Sequence, residues 1–331
     1  MRNLLVFLFI WFALYAIGFL IPQKENKDFS FMSKSHTDIC RGIAAIIIIC
    51  QHVAGGFGIR YLTPLGGIGV AVFLILSGYG LSESFKRKGI GGGYWKHKFI
   101  RVLLPYLFIC VVVIACDVFT KNEVAVPYYW YIDFMLFWYL AFYTVIRIPN
   151  LYSHRYSILG IASFVVFIAG CAFNNGLCAE QAISFLIGVW ISDNYEKAKE
   201  KITEGRMITV LLIIGVVLLG CKQMPAIRAL ENTIMWHGIQ LMMKVSVAIA
   251  IIGLTYKFSA VFENRMLMNV GLVSYELYLV HYQLISLPGR GIVGILIFDA
   301  ISLLGAWLIH SLVEGIRDRL IRKKRRIGDM I

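Results

Sequence analysis

The sequence predicts an all-α integral membrane protein, a polytopic bundle of about ten or eleven transmembrane helices. Hydrophobic residues make up 59% of its 331 residues and charged residues only 15%, whereas soluble domains carry about 25% charged residues. A bilayer is the solvent that tolerates so much exposed apolar surface. Each helix needs about 20 residues to cross it, so about ten helices would use most of the chain.

Eleven apolar runs, separated by polar or charged breaks, are the predicted spans. The first is an additional helix ahead of the main bundle, and the seventh is short enough to be tilted or re-entrant. The runs lie at 4–22, 38–55, 66–83, 101–119, 130–147, 156–174, 178–192, 207–221, 236–256, 269–288 and 292–313. The chain then divides into an N-terminal transmembrane helix and cytoplasmic linker (1–36), a membrane domain (37–316) and a basic cytoplasmic tail (317–331).

The distribution of Lys and Arg predicts the orientation of these helices. When the spans alternate from an outside N-terminus, 25 of the 32 basic residues fall in cytoplasmic segments and six fall outside. This excess follows the positive-inside rule and places the C-terminus in the cytoplasm. Arg2 before an apolar run also fits a signal anchor, which would invert the chain, but the later charges argue against inversion. The RKKRR run of the tail is expected to bind anionic membrane lipid.

The net charge of +13 follows from this asymmetry, and we expect no nucleic-acid partner because no nucleic-acid-binding motif is present. The seven cysteines include no CxxC pair, so no metal site and no bound cofactor are expected. Cys171 and Cys178 flank one short loop and are the pair that could form a disulfide.

Ionisable side chains inside membrane spans are costly and tend to be functional. Arg41, at the predicted inner mouth of the second span, and His52 are eleven residues apart. This is close to three helical turns, so both leave the same face with a rise of about 16 Å. A cation at the mouth suits donor phosphates, and an imidazole deeper in suits proton transfer. The structural alternative is ordinary positive-inside placement of Arg41 and a histidine bonded to backbone.

A second polar group lies in the run VGLVSYELYLVHYQL. Ser274, Tyr278 and His281 share one helix face, while Glu276 lies on another. A helix that is polar on two sides cannot face lipid on both, so this span is predicted to be central. We expect Glu276 to pair with Lys244 on the preceding span, although Lys244 could instead snorkel outward.

Lys98 and Arg101 precede the span that begins VLLPYLF. They are three residues apart and therefore helical neighbours if the helix begins there. They could bind donor phosphates together with Arg41, or they could simply mark the cytoplasmic helix end. Ser77, in a Gly-rich span, is interpreted as a packing residue because no nucleophile elbow surrounds it.

Taken together, these blocks resemble the acyltransferase-3 family of membrane-bound acyltransferases. The order of five blocks between residues 37 and about 316 carries the resemblance. They are Arg41 followed by ten residues and His52; GIGVAVFLILSGYGL; Lys98–Phe–Ile–Arg101 before Pro105; Phe137–Trp138–Tyr139–Leu140; and SYELYLVH.

The resemblance implies a ten-helix bundle that uses acyl-CoA, with acetyl-CoA the commonest donor, as a co-substrate. It implies transfer of the acyl group to a hydroxyl of an extracytoplasmic carbohydrate or lipid-linked glycan. Arg41 and His52 would be the catalytic pair, and Arg41, Lys98 and Arg101 would bind acyl-CoA. Ser274, Glu276, Tyr278, His281, Lys244 and Trp138 would be acceptor-binding or supporting residues.

Two features depart from the family pattern: the N-terminal helix is additional, and Lys98 stands where arginine is more common, which is not a neutral exchange at a bidentate phosphate site. Two other functions stay open. A transporter or flippase of a glycan or lipid intermediate would also need many spans and intramembrane charges, although no inverted repeat is visible. A membrane scaffold or sensor would use the same charges only for packing.

Overall fold

The computed structural model describes residues 2–21, 29–89, 91, 93–121 and 126–328. Within these ranges every regular element is helical. The α-helices of the first half are α1 (Arg2–Leu20), α2 (Lys34–Gly56), α3 (Thr63–Lys88), α4 (Tyr94–Lys98), α5 (Leu104–Lys121), α6 (Trp130–Arg147), α7 (Pro149–Ser153), α8 (Arg155–Ala172) and α9 (Gly176–Ala179). Those of the second half are α10 (Ser184–Asp193), α11 (Tyr195–Thr203), α12 (Gly205–Gln223), α13 (Pro225–Arg228), α14 (Ile234–Lys257), α15 (Ser259–Phe262), α16 (Arg265–Leu272), α17 (Ser274–Gln283) and α18 (Ile292–Gly328).

Eight helices of the described chain are long and apolar enough to cross a membrane, so the protein is a multi-pass, all-α membrane protein. They are α1, α2, α3, the helical stretch Tyr94–Thr120, α8, α12, α14 and α18. The other three predicted spans are also helical. The run 130–147 forms α6, whose many Trp and Tyr side chains lower its hydropathy.

The two remaining runs are broken helices. Within 178–192, the short helix α9 is followed by turns and then by the ten residues of α10. Within 269–288, the helix is interrupted at Val273, which separates α16 from α17. The apolar runs could not reveal these breaks, because neither contains a proline or a glycine pair at the break.

The chain forms two compact units. The first unit comprises Asn3–Ile90 and Asp133–Leu272. Its core is an apolar cluster in which α2, α3, α10, α11 and α14 take part, with Cys40, Ile75 and Ile252 fully buried. Close backbone approach brings α3 and α10 together, because Gly78 lies against the Phe185 carbonyl and Gly188 against the Ile75 carbonyl. Small residues are the usual means of such contact in membranes.

An ion-pair network joins three helices of the first unit at one end. Asp193, at the end of α10, accepts hydrogen bonds from Arg155 Nε at 2.7 Å and from the Tyr156 hydroxyl at 2.8 Å. Lys86 of α3 lies 3.0 Å from the same carboxylate and also donates to the Ser192 carbonyl at 2.6 Å. Here α3 and α10 end and α8 begins, on their predicted cytoplasmic side.

The N-terminal helix α1 belongs to the first unit and packs there against the segment around Asn264. The Asn264 side-chain amide donates to the Tyr15 carbonyl at 2.9 Å, and Gly18 lies against the same Asn264 side chain. Other α1 side chains, including Phe9 and Phe12, are exposed, as expected of a helix that faces lipid. Lys24 and Lys27 of the predicted linker lie outside the described residues. All seven cysteines are free thiols, so Cys171 and Cys178 are not bridged.

The second unit comprises Gly91–Ile132 and Val273–Ile331. In it α17 packs against both α5 and α18. Two tyrosines tie α17 to the rest of this unit: the Tyr275 hydroxyl donates to the Val102 carbonyl at 2.7 Å, and the Tyr129 hydroxyl donates to the Leu279 carbonyl at 2.6 Å. Burial of Ser274 and His281 on one face and of Glu276 on another agrees with the predicted central position of this helix.

Candidate functional site

The helix α2 carries both members of the predicted catalytic pair. It begins after Ser33, whose hydroxyl accepts a hydrogen bond from the His36 backbone N–H, a typical N-cap. It then continues without interruption to Gly56. Arg41 and His52 therefore lie on one regular helix, on the same face and about 16 Å apart along its axis.

Arg41 has a partner that the sequence analysis missed. Its Nη1 donates to the Asp38 carboxylate at 2.7 Å, and the guanidinium stays one-third exposed. Asp38 lies one turn earlier on α2, and this acid–base spacing of three residues was the available signal. The Asp38 carboxylate occupies one edge of the guanidinium. Because arginine has five N–H donors, the guanidinium can still donate hydrogen bonds to a second anion.

Close packing against α16 holds this turn of α2 in place. A Cβ on Gly271 would lie 1.8 Å from the Asp38 carbonyl oxygen, and one on Gly42 would lie 2.2 Å from the Leu267 carbonyl oxygen. Only glycine permits two helix backbones to approach so closely. The position of Arg41 is thus set by contacts on both sides of it in the sequence.

A buried histidine anchors the start of α2. His36 Nδ1 accepts a hydrogen bond from the Met32 N–H at 2.9 Å, so Nε2 carries the hydrogen and contacts the Thr255 hydroxyl at 3.0 Å. The rings of Phe31 and Tyr256 pack around this imidazole. His36 therefore fixes α2 to α14, five residues ahead of Arg41.

His52 is half-buried and lies four residues before the end of α2. Its neighbour Gln51 packs against Gly66, near the start of α3, where a Cβ would lie 2.4 Å from the Gln51 Oε1. His52 is therefore near the end of α2 opposite to Arg41, as the sequence predicts.

Lys244 is buried in α14, but its partner is not the predicted Glu276. Lys244 forms an ion pair with Glu180, whose other carboxylate oxygen lies 2.9 Å from His237 Nδ1. Glu276, in the second unit, instead bonds to His310 Nδ1 at 3.1 Å. The pairing prediction was wrong because spacing along the chain does not show which buried charges on different helices meet.

The other α17 residues have separate environments. His281 Nδ1 lies 2.8 Å from the Leu277 carbonyl, the bond to its own helix that a buried histidine often makes. Tyr278 packs its ring against Tyr129 and Tyr131, with centroids 5.7 Å and 5.6 Å away. Ser274, 3% exposed, lies at the first position of α17.

Lys98 and Arg101 lie in one continuous helical stretch of the second unit. Lys98 ends α4, and its ammonium lies 5.6 Å from the centre of the Tyr94 ring, within the range of a cation–π contact. Arg101 is exposed on a π-helical turn, Phe99–Leu103, that links α4 to α5. Such wide turns are frequent at functional sites.

Trp138 is fully buried in the first unit and stacks on Phe185 of α10, with ring centres 5.3 Å apart and an interplanar angle of 11°. Its indole Nε1 has no hydrogen-bond partner among the described residues. The first unit thus holds Arg41, His52, Lys244 and Trp138, while the second holds the remaining predicted site residues.

A comparison with family models matches residues 37–311 to one described as an acyltransferase domain, the acyltransferase-3 model. The match covers most of the chain and includes every predicted site residue. No solved structure matches this sequence.

Proposed function

Because the chain belongs to the acyltransferase-3 family and is a multi-pass membrane acyltransferase, we propose that it moves an acetyl group from cytoplasmic acetyl-CoA to a hydroxyl of a cell-surface carbohydrate or related acceptor. The proposal places the enzyme in the cell membrane with its C-terminus in the cytoplasm. Residues 37–311 form the acyltransferase domain. The proposal concerns the identities of the donor, the acyl group and the acceptor.

The observation that supports this proposal is the shared face of Arg41 and His52 on α2. Their separation of about 16 Å along the helix is comparable to the length of an extended pantetheine arm. Arg41 would bind a phosphate of coenzyme A at the cytoplasmic end. One edge of its guanidinium contacts Asp38, and the other N–H groups would donate to the phosphate. The thioester would then lie near His52.

In the proposed reaction, His52 takes the proton of the acceptor hydroxyl as that oxygen attacks the thioester carbonyl carbon. The new C–O bond forms, the C–S bond breaks, and coenzyme A leaves as a thiol after it receives the proton from the imidazole. In the second route, the His52 imidazole attacks the thioester carbonyl first, the C–S bond breaks, and coenzyme A leaves as a thiolate. The acceptor hydroxyl then attacks the acyl-imidazolium, gives its proton to the thiolate and displaces the imidazole. Trapping an acyl-histidine with denaturant during turnover would distinguish the two.

Lys98 and Arg101 are proposed to contribute to donor binding. The cationic pair lies on one continuous helical stretch, and Arg101 is exposed. Glutamine replacements at both positions would raise the KM for the donor without abolishing turnover. An unchanged KM would assign this pair to cytoplasmic helix-end placement alone.

The test of the central proposal is transfer of labelled acetyl from acetyl-CoA in membranes that contain the full chain. We expect His52→Ala to abolish ester formation and Arg41→Ala to raise the KM for the donor more than tenfold. His154→Ala is the matched control, because His154 is an exposed histidine of the same unit. Undiminished transfer by His52→Ala would refute the role of His52.

Mass spectrometry of cell-surface glycans, with and without the gene, would identify the acceptor through the mass of its ester. If glycan crossed the membrane without release of coenzyme A, the transporter interpretation would replace this proposal.

A further inference from the structure

A stripe of buried polar side chains runs along α14 in the first unit. His237, Gln240 and Lys244 are 3%, 6% and 5% exposed. Because they are spaced by three and four residues, they lie on one face of the helix. The family resemblance implied a supporting role for Lys244 only, and it assigned no role to His237 or Gln240.

Glu180, in the turn between α9 and α10, organises this stripe. One of its carboxylate oxygens lies 2.9 Å from His237 Nδ1, and the other pairs with the Lys244 ammonium. A carboxylate bonded in this way requires a hydrogen on Nδ1. In the neutral imidazole the second nitrogen, Nε2, is then an acceptor.

Two buried atoms of the stripe have no hydrogen-bond partner among the residues that the structure describes. They are His237 Nε2 and Gln240 Oε1. A buried polar atom that is left unsatisfied destabilises the fold, and most buried polar atoms have a partner. Two such atoms lie within one turn of helix, and a ligand that donates hydrogen bonds would satisfy both of them.

The chemistry of the two atoms restricts the ligand. With the imidazole neutral, both atoms are acceptors, so neither binds an ionised carboxylate or phosphate oxygen, which is also an acceptor. A hydroxyl group donates to either atom, and it also accepts a hydrogen bond if the imidazole is protonated. Neighbouring hydroxyls of a polyol could therefore satisfy both atoms at once.

The stripe lies at the same end of the first unit as His52. The Lys244 side chain crosses Gly67, where a Cβ would lie 2.4 Å from the lysine Cε, and Gly66 contacts Gln51, the neighbour of His52. His237 is three residues from the start of α14, and Gly67 is four from the start of α3. Both starts are predicted to face the extracytoplasmic side.

We propose that His237 and Gln240, with Glu180 and Lys244 behind them, form the binding site for the hydroxyl groups of a neutral, polyhydroxylated acceptor. Its identification as the acceptor site rests on the proposed function, whereas the binding of hydroxyls rests on the geometry alone. His237 is a binding residue here, and the chemical step stays with His52.

The experiment measures binding without the donor, using the full chain in lipid nanodiscs and saturation-transfer NMR. The probes are methyl glucoside and its carboxylate analogue, methyl glucuronide. We expect wild type to saturate the neutral glycoside at least fivefold more strongly than the uronide. His237→Leu and Gln240→Leu should each lower the glycoside signal at least fivefold, and His154→Gln should leave it unchanged.

Gln240→Leu keeps the test independent of folding, because Gln240 Oε1 has no partner to lose and its replacement leaves the Glu180 ion pair intact. Full glycoside binding by this variant, no binding by wild type, or preference for the uronide would overturn the inference. If the protein binds the glycoside through His237 but transfers no acetyl group, the proposed function is refuted and the hydroxyl-binding site is retained.

Discussion

The carboxylate of Asp38 binds the guanidinium of Arg41 at 2.7 Å, one turn apart on α2. This pair lies at the predicted cytoplasmic end of the face that also carries His52. A donor phosphate that binds Arg41 must therefore do so beside a carboxylate.

We predict that Asp38→Asn lowers the KM for acetyl-CoA, because it removes a negative charge that repels the donor. Partly exposed ion pairs contribute about 0.2–1 kcal/mol, so the KM should fall by up to about fivefold. Steady-state transfer in membranes measures this, with Asp318→Asn, an exposed carboxylate of α18, as the control. A raised KM would show that Asp38 serves mainly to orient Arg41.

Gly271→Ala is predicted to destabilise the protein, because its Cβ would meet the Asp38 carbonyl oxygen at 1.8 Å. Backbone cannot move aside as a flexible side chain does, and overpacking of this kind costs about 1–3 kcal/mol. The matched control is Gly160→Ala in α8, which has nothing within 4 Å of its Cβ and should be neutral or slightly stabilising. Thermal unfolding in detergent compares the two, and equal Tm values would contradict the close helix contact.

Lys244→Met is predicted to be strongly destabilising, because it leaves the buried Glu180 carboxylate without its cation. Removing one partner of a buried pair costs about 3–5 kcal/mol, whereas replacing both is often nearly neutral. The double variant Glu180→Gln/Lys244→Met should therefore recover most of the loss. Denaturant unfolding of the two single variants and the double variant gives the coupling energy. Lys257→Met, at the exposed end of the same helix, is the control, and additive effects would be inconsistent with the pair.

The Asp193 network predicts a loss of stability in acid. Burial alone would raise the pKa of the Asp193 carboxyl, but hydrogen bonds from Arg155, Tyr156 and Lys86 outweigh burial and hold that pKa below its usual value. The stabilisation is fully present above the unfolded pKa of about 3.9 and is lost as the pH falls through the lower folded value.

Unfolding of wild type and Asp193→Asn between about pH 3 and pH 7 tests this network. The difference in the free energy of unfolding between the two should be constant above about pH 5 and should shrink below about pH 4. Glu196→Gln, an exposed carboxylate on α11, should show no such change. A difference that is independent of pH would mean that Asp193 contributes no ionic stabilisation.

Local composition was sufficient to predict most helices and the Arg41–His52 face. An apolar run of about 20 residues has few alternatives in a bilayer, because each backbone polar group must be bonded within the segment. The same rule of spacing places two residues on one helix face without any knowledge of the neighbours. The prediction of a continuous helix was wrong at Val273 and before α10, where the helix is interrupted inside an apolar run.

The family resemblance was also available from the sequence, because it depends on the order of short blocks along the chain. The match over residues 37–311 confirms it. Trp138 came from such a block, and the structure adds the Phe185 ring on which it stacks.

The sequence by itself therefore determined that the protein lies in a membrane, where most helices form, and how groups are spaced along each helix. Helix formation and this spacing depend on contacts within about four residues. The partners of buried charged groups were decided only by the tertiary structure. Glu180 binds Lys244 and His237 across 64 and 57 residues of chain. The sequence shows which buried charged groups need a partner, but only the folded structure shows which of these groups form ion pairs.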